Sequence, residues 1–192
     1  MANFGKGPIF LHPAERQLLE ATVAFANMNV RSAAQVEKLF MAVPLTARPF
    51  KVIPRKDWRA YLEDQATLRL WLAKLADLGE AARPLVGPEV ARRLNRTVTV
   101  RLTYDADRHE MKAVSFLDGV EACWSYAVGL LLDRTRGLTT RVGRCGWDRC
   151  GRFQLSLGGR GRPRMYCSDA HRRQAEFARR KEKRRRKRGE KT

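Results

Sequence analysis

The chain has 192 residues, 44% of them hydrophobic and 31% charged, which is room for one good domain plus an appendage. No run reaches the ~18–20 continuous apolar residues that a membrane-spanning helix needs. Met1 to Leu11 carries one lysine and no long apolar core, so it does not read as a secretory signal.

In chain order, Pro13 to about Met28 is predicted as a helix. Leu18, Thr22, Phe25 and Met28 share one face, and Pro13 suits a first turn. Arg31 to about Val43 is a second helix. Ser32 and Gln35 form a capping box, and Val36, Leu39 and Phe40 make its apolar stripe. Pro44, Pro49 and Pro54 break regular structure. The stretch 44–56 is an ordered connector, because Leu45, Phe50, Val52 and Ile53 are too apolar for a solvated linker. Asp57 caps a long helix running to about Arg83. Its stripe is Trp58, Leu62, Gln65, Leu68, Leu72, Leu75 and Leu78, widened by Tyr61 and Trp71. Those aromatics are expected in the core. Pro84 to Pro88 ends this helix, and Glu89 to Asn95 makes a short one.

Thr97 to Tyr104 alternates as a strand does, with Val98, Val100, Leu102 and Tyr104 on one side. Asp105 to His109 is a turn. Met111 to Leu117 is the return strand, with an alternation that slips a phase near Ala113 and Val114. Two strands alone are marginal, so this hairpin needs a cover. Asp118 and Glu121 signal a helix start. Val120 to about Leu132 then offers Cys123, Trp124, Ala127, Leu130 and Leu131 for packing. Cys123 is most simply a buried small hydrophobe.

The other three cysteines fall together with a histidine. Cys145 and Cys150 are separated by four residues, sixteen more precede Cys167, and three more precede His171. Thiolates and an imidazole suit Zn²⁺, which takes four such ligands tetrahedrally at roughly 2.0–2.3 Å. Each pair clips one side of the ion, and the intervening loop lets the second pair fold back on the first. Four protein ligands leave no open position, so one zinc with a structural role is expected. The bland alternative is three reduced cysteines and a surface histidine. The spacing differs from the C₂H₂ finger that reads DNA and is closer to a zinc ribbon or treble-clef knuckle. Gly146, Gly151, Gly158, Gly159 and Gly161 allow the tight backbone such a knuckle needs. Phe153 and Leu155 are predicted to form a short strand packed on it. Cysteines grouped this way imply a reducing compartment and a cytoplasmic protein without disulfides.

The run from Arg141 to Arg180 resembles the C-terminal module of the CGNR zinc-finger family of bacterial transcription regulators. The matching residues are Arg144-Cys145, Cys150-Gly151, Phe153, Arg164, Tyr166, Cys167-Ser168 and the basic helix that follows. At the family's Cys-Gly-Asn-Arg signature this chain has His171-Arg172-Arg173-Gln174, one residue closer to Cys167. Histidine is a competent zinc ligand, so the substitution keeps the donor set. The order of elements before the module, with Leu94-Asn95-Arg96, a hairpin and an apolar helix, is similar to the family's N-terminal domain. The resemblance covers roughly 57–180. It implies a helical sensor-like domain, with an unknown small-molecule effector, joined to a zinc finger.

Charge is distributed unevenly. Residues 1–138 hold 20 Lys/Arg and 15 Asp/Glu, whereas 139–192 hold 19 and 5, so +14 of the net +19 lies on the last 54 residues. Such asymmetry points to a polyanion, nucleic acid before an anionic membrane surface. Its bland reading is a solubilising tail. Ser168 and Asp169 start a helix that runs to about Arg188 in strong helix formers. Phe177, its lone large apolar residue, is predicted to pack on the knuckle. Arg144, Arg149, Arg164 and Arg172 are predicted to offset the negative charge of a thiolate-rich site and lower its thiol pKa values.

A helix fits the DNA major groove, and Arg172, Arg173 and Gln174 near its start are the candidates for base edges. Arg179, Arg180, Lys181, Lys183, Arg184, Arg185, Arg186, Lys187 and Arg188 are candidates for phosphates, as are Arg160, Arg162 and Arg164 in the Gly/Arg loop.

The expected fold is mostly α with a small β-hairpin (α+β). Residues 1–138 form a mainly helical domain with the hairpin near 97–117, 139–180 the zinc module and 181–192 a basic tail. The expected function is a DNA-binding transcription regulator, which could act as a homodimer. An RNA- or ribosome-associated zinc protein is the alternative, since Gly/Arg loops and basic tails also order on RNA. An enzyme is not expected: His12 and His109 are isolated, and no carboxylate pair or nucleophile–base set is evident.

Overall fold

A computed structural model of the chain describes residues 11–43, 58–105, 110–117, 119–157 and 165–189. Helices dominate, accompanied among these residues by two small antiparallel sheets of two strands each.

Helix α1 (Pro13–Asn27) starts where expected. His12 caps it: its Nδ1 accepts from the Ala14 N–H at 3.3 Å, and its own N–H donates to the Glu15 carboxylate at 3.1 Å. Leu18, Thr22 and Phe25 are buried. Helix α2 (Ala33–Met41) is two residues shorter at each end than predicted. Ser32 Oγ accepts from the Gln35 N–H at 3.3 Å, but the Gln35 side chain takes the Arg31 N–H instead of closing the box on Ser32. Phe40 sits edge-on to Phe25, with ring centroids 5.7 Å apart.

Helix α3 (Arg59–Leu78) ends with its apolar stripe and short of the predicted Arg83, because Gly79 takes a left-handed φ of 55°. The capping role given to Asp57, like the connector at 44–56, lies outside the described residues. Tyr61, Gln65, Leu68, Trp71, Leu72 and Leu75 are buried. Leu62 and Leu78, expected on the same stripe, are 38% and 48% exposed, and Trp58 is 41% exposed. These three lie about 80–120° around the helix from Leu68, at the margins of its buried face. Gln65 has a polar task within the core. Its Nε2 donates to the carbonyls of Phe25 at 2.6 Å and Met28 at 2.8 Å, satisfying the C-terminal end of α1.

After a 3-10 turn at Gly79–Ala82, helix α4 runs from Arg83 to Thr97, much longer than the predicted Glu89–Asn95. The two prolines do not prevent it. Pro84 occupies the first turn, where no N–H is needed. Pro88 lies inside the helix, where it forfeits the bond to the carbonyl one turn back and crowds it, a cost offset by the burial of Val86 and Val90 on either side.

Strands β1 (Val98–Asp105) and β2 (Glu110–Leu117) pair one-to-one over eight positions, through Leu102↔Ala113 and Arg101↔Val114. The phase slip read from the side-chain pattern therefore produces no bulge. The tip at 106–109 and the predicted cap Asp118 are outside the described residues.

Helix α5 (Gly119–Leu132) buries Cys123, Trp124, Ala127, Leu130 and Leu131. Trp124 meets Trp71 with centroids 5.2 Å apart. The Arg93 guanidinium of α4 lies 5.4 Å and 5.6 Å from those two rings and pairs with Glu121 at 2.6 Å. Cys123 behaves as the small hydrophobe it was read to be, with burial pushing its thiol up to about 12.

The chain leaves α5 through Gly137, at a φ of 58°, and Leu138 is fully buried. Thr139 Oγ1 donates to the Leu131 carbonyl at 2.7 Å and accepts from Arg83 at 3.0 Å, which sets the direction of β3 (Val142–Arg144). Strand β4 (Phe153–Leu155) pairs antiparallel with it, Arg144 opposite Phe153. Val142 and Phe153 belong to the same buried cluster as the helices. The Asn27 side chain of α1 completes the attachment as a strand would: Nδ2 donates to the Phe153 carbonyl and Oδ1 accepts from the Phe153 N–H, both at 2.8 Å. Helix α6 (Asp169–Gly189) ends the described chain. Among the described residues, no helix is long and apolar enough to cross a membrane.

Asn27→Ala would strand both Phe153 backbone groups in a half-buried place. It should destabilise the fold by about 1–3 kcal/mol in denaturant titration, with Asn27→Asp, which removes only the donor, costing less.

Candidate metal centre

Two short segments meet. The first is the tip of the β3–β4 hairpin, where the Cys145 N–H donates to the Arg152 carbonyl at 2.8 Å and the Cys150 N–H to the Trp147 carbonyl at 2.8 Å. Gly151, at a φ of 62°, lets the chain leave Cys150 in a left-handed turn that a Cβ would strain. The second segment carries Cys167 just before α6 and His171 in its first turn. Ser168 caps that helix, its Oγ accepting from the His171 N–H at 3.2 Å. The segments touch at Gly146, whose N–H donates to the Met165 carbonyl at 2.6 Å. A Cβ there would lie 3.1 Å from that oxygen and 3.2 Å from the Tyr166 ring, so glycine permits the close approach.

This brings the four predicted ligands together. One donor atom from each of Cys145, Cys150, Cys167 and His171 lies within 4.8 Å of all the others. Cys145 Sγ is 3.6 Å from His171 Nδ1, Cys150 Sγ is 3.6 Å from Cys167 Sγ, and Cys167 Sγ is 2.9 Å from His171 Nδ1. Tetrahedral bonds of roughly 2.0–2.3 Å to one ion require donor separations of about 3.5–3.8 Å, which two of these distances meet and the third undercuts. Cys145 is buried and the other three are half-buried. The set could hold a metal ion through three sulfurs and Nδ1.

Electrostatics divide the thiols. Burial opposes a charge on Cys145, but the N–H groups of Cys167 and Trp147, with contacts to His171 and Cys167, outweigh it and bring the thiol down to about 7. Cys167 goes the other way. Burial, then the sulfurs of Cys150 and Cys145 and their charge, push it up to about 11. The acidic shift comes chiefly from backbone amides, and two of the four arginines expected to supply it have other partners. Arg144 is committed elsewhere, to Asp77 at 2.7 Å, with its guanidinium 5.8 Å from the Phe153 ring. Arg172 pairs with Asp169 at 3.4 Å, and Arg164 lies outside the described residues.

Two contributors were not anticipated from sequence. The Trp147 ring lies against that of His171, with centroids 4.5 Å apart. An aromatic inside the four-residue ligand loop was the available signal. Asn27 had none, since its partner is 126 residues away.

The predicted contact residues Arg172, Arg173, Gln174, Arg179, Arg180, Lys181, Lys183, Arg184, Arg185 and Arg186 all stand exposed on α6, and Lys187 and Arg188 continue the same helix. Arg160, Arg162 and Arg164 lie outside the described residues. Phe177 corrects the expectation that it packs on the knuckle: it is 71% exposed, and Ala175 is the buried residue instead. Ala175 lies one helical turn after His171, and Phe177 is turned about 160° away from it.

No family model matches the chain, and none of the curated proteins matches it.

Cys145→Ser and Cys167→Ser should each abolish stoichiometric metal uptake, read by elemental analysis of chelator-free protein. Near neutral pH, uptake should displace a proton from Cys167, whose free thiol is raised to about 11. Affinity should then rise with pH. Calorimetry in buffers of different ionisation enthalpy would detect the released proton.

Proposed function

We propose that this protein is a zinc-dependent nucleic-acid-binding protein, and that its target is duplex DNA under transcriptional control. The observation that carries the reading is the junction of the four-ligand cluster with α6. Zinc suits three sulfurs and an imidazole that leave no open position, and at this site it would have a structural role. Held there, the ion would fix the first turn of a helix about 32 Å long. From Arg172 to Arg188 that helix carries eleven Lys/Arg against Glu176 and Glu182. Every described side chain from Glu176 to Arg186 is exposed, so the cationic surface is free to meet a partner.

Several lysines and arginines on the distal half face like charges one turn away, for instance Arg180 with Arg184 and Lys181 with Arg185. Each such pair costs roughly 0.2–0.5 kcal/mol in an isolated helix. A polyanion removes that repulsion and releases its counterions, so binding and helix order support each other. Arg172, Arg173 and Gln174 near the helix start have the donor and acceptor chemistry for base edges, and the distal run suits phosphates. This is the role that the resemblance to CGNR zinc fingers implies. The helical body would act as the sensing or dimerising part of a binding protein, not of an enzyme.

Binding to duplex DNA should lose on the order of 10³–10⁵ in affinity between 50 and 200 mM salt if eight to ten phosphates are contacted. Truncation after Gln174 should weaken it about equally on all sequences. Competition between duplex DNA and structured RNA at 150 mM salt decides the target. Preference for RNA would overturn the DNA reading, and unchanged affinity of the truncated chain would show α6 to be idle.

A further inference from the structure

Phe177 is the side chain whose position this function leaves unexplained. A phenylalanine 71% exposed in the middle of a strongly cationic helix gains nothing from the folded chain. Its direction is set by its neighbours. Ala175 is buried, and at 100° per residue Phe177 points almost directly away from it. On the outward face with Phe177 lie Ala170, Arg173 and Gln174 towards the helix start, and Arg180 and Lys181 one turn on. All are exposed.

We infer that Phe177 contacts the 5-methyl groups of thymine in the major groove, making the outward face of α6 selective for thymine. The inference rests on the proposed binding of duplex DNA and names a base preference within it. The chemistry of the face carries the choice. The major groove presents hydrogen-bonding edges and one apolar group, the thymine methyl, and aromatic side chains are among its partners. Arg173 and Gln174 supply donors for neighbouring base edges. Arg180 and Lys181 draw the phosphates to either side, so binding carries Phe177 into the groove. Uracil lacks the methyl, so the same contact favours DNA over RNA of equivalent sequence.

The test compares the full, zinc-loaded chain on an alternating dA·dT duplex and on the same duplex with deoxyuridine replacing every thymidine, a change that removes only the methyl. The unsubstituted protein should bind the thymine duplex more tightly, by about fourfold for each methyl contacted. Phe177→Ala should abolish that difference while retaining zinc and helical circular dichroism. Phe177→Leu, which keeps an apolar surface, should preserve the difference.

Equal affinity of the unsubstituted protein for the two duplexes would overturn the inference and leave DNA binding intact. So would a thymine preference that survives Phe177→Ala, or a Phe177→Ala protein changed only in its oligomeric state. Failure to bind either duplex would overturn the proposed function itself, and this inference with it.

Discussion

The convergence of Cys145, Cys150, Cys167 and His171 is the constraint on which the C-terminal third depends. Beyond it, α6 buries one side chain, Ala175, and exposes every residue from Glu176 to Arg186. Such a helix has almost no apolar surface with which to choose its own direction. Its starting point is held instead by the Ser168 cap, the bond from Gly146 to Met165, and the sulfur and nitrogen donors that surround its first turn. A tetrahedral ion at this place would replace several weak contacts by four strong bonds of defined geometry.

The cluster is anchored in turn. Its hairpin is built into the helical body through Val142 and Phe153, which share the helical core, and through the two bonds from Asn27. Arg144 and Thr139 add polar ties to α3, α4 and α5 through Asp77, Arg83 and the Leu131 carbonyl. A chain of contacts therefore runs from α1 through β4 and the knuckle to the first turn of α6. A partner bound on α6 would bear on a hairpin that touches the core, which is the physical route by which the body could influence binding.

The thiols also differ in what they bring to such a site. Cys145 accepts backbone N–H groups that stabilise its anion, and its charge then raises Cys167. Amides perform this task at short range and with fixed orientation. Arg144 and Arg172, though near in sequence, reach other partners instead, Asp77 and Asp169.

Much was legible in the residues alone. Ligand type and spacing singled out the four donors, because a metal demands particular atoms at short separations along the chain. Helix formers and a Ser-Asp start announced α6, and apolar periodicity located the helical body, because local propensity and burial leave a 3.6-residue signature. Tertiary structure decided what local pattern could not. The margins of the buried face, Trp58, Leu62 and Leu78, were settled by which neighbours arrived to cover α3. The extent of α4 was settled by packing, which buries Val86 and Val90 on either side of the interior Pro88. The outward turn of Phe177 and the clasp of Asn27 on Phe153 depend on segments distant in sequence. Each reflects the same physical fact: spacing along a chain specifies what a segment can form, but only the packed neighbours determine which of its surfaces is left to meet water or a partner.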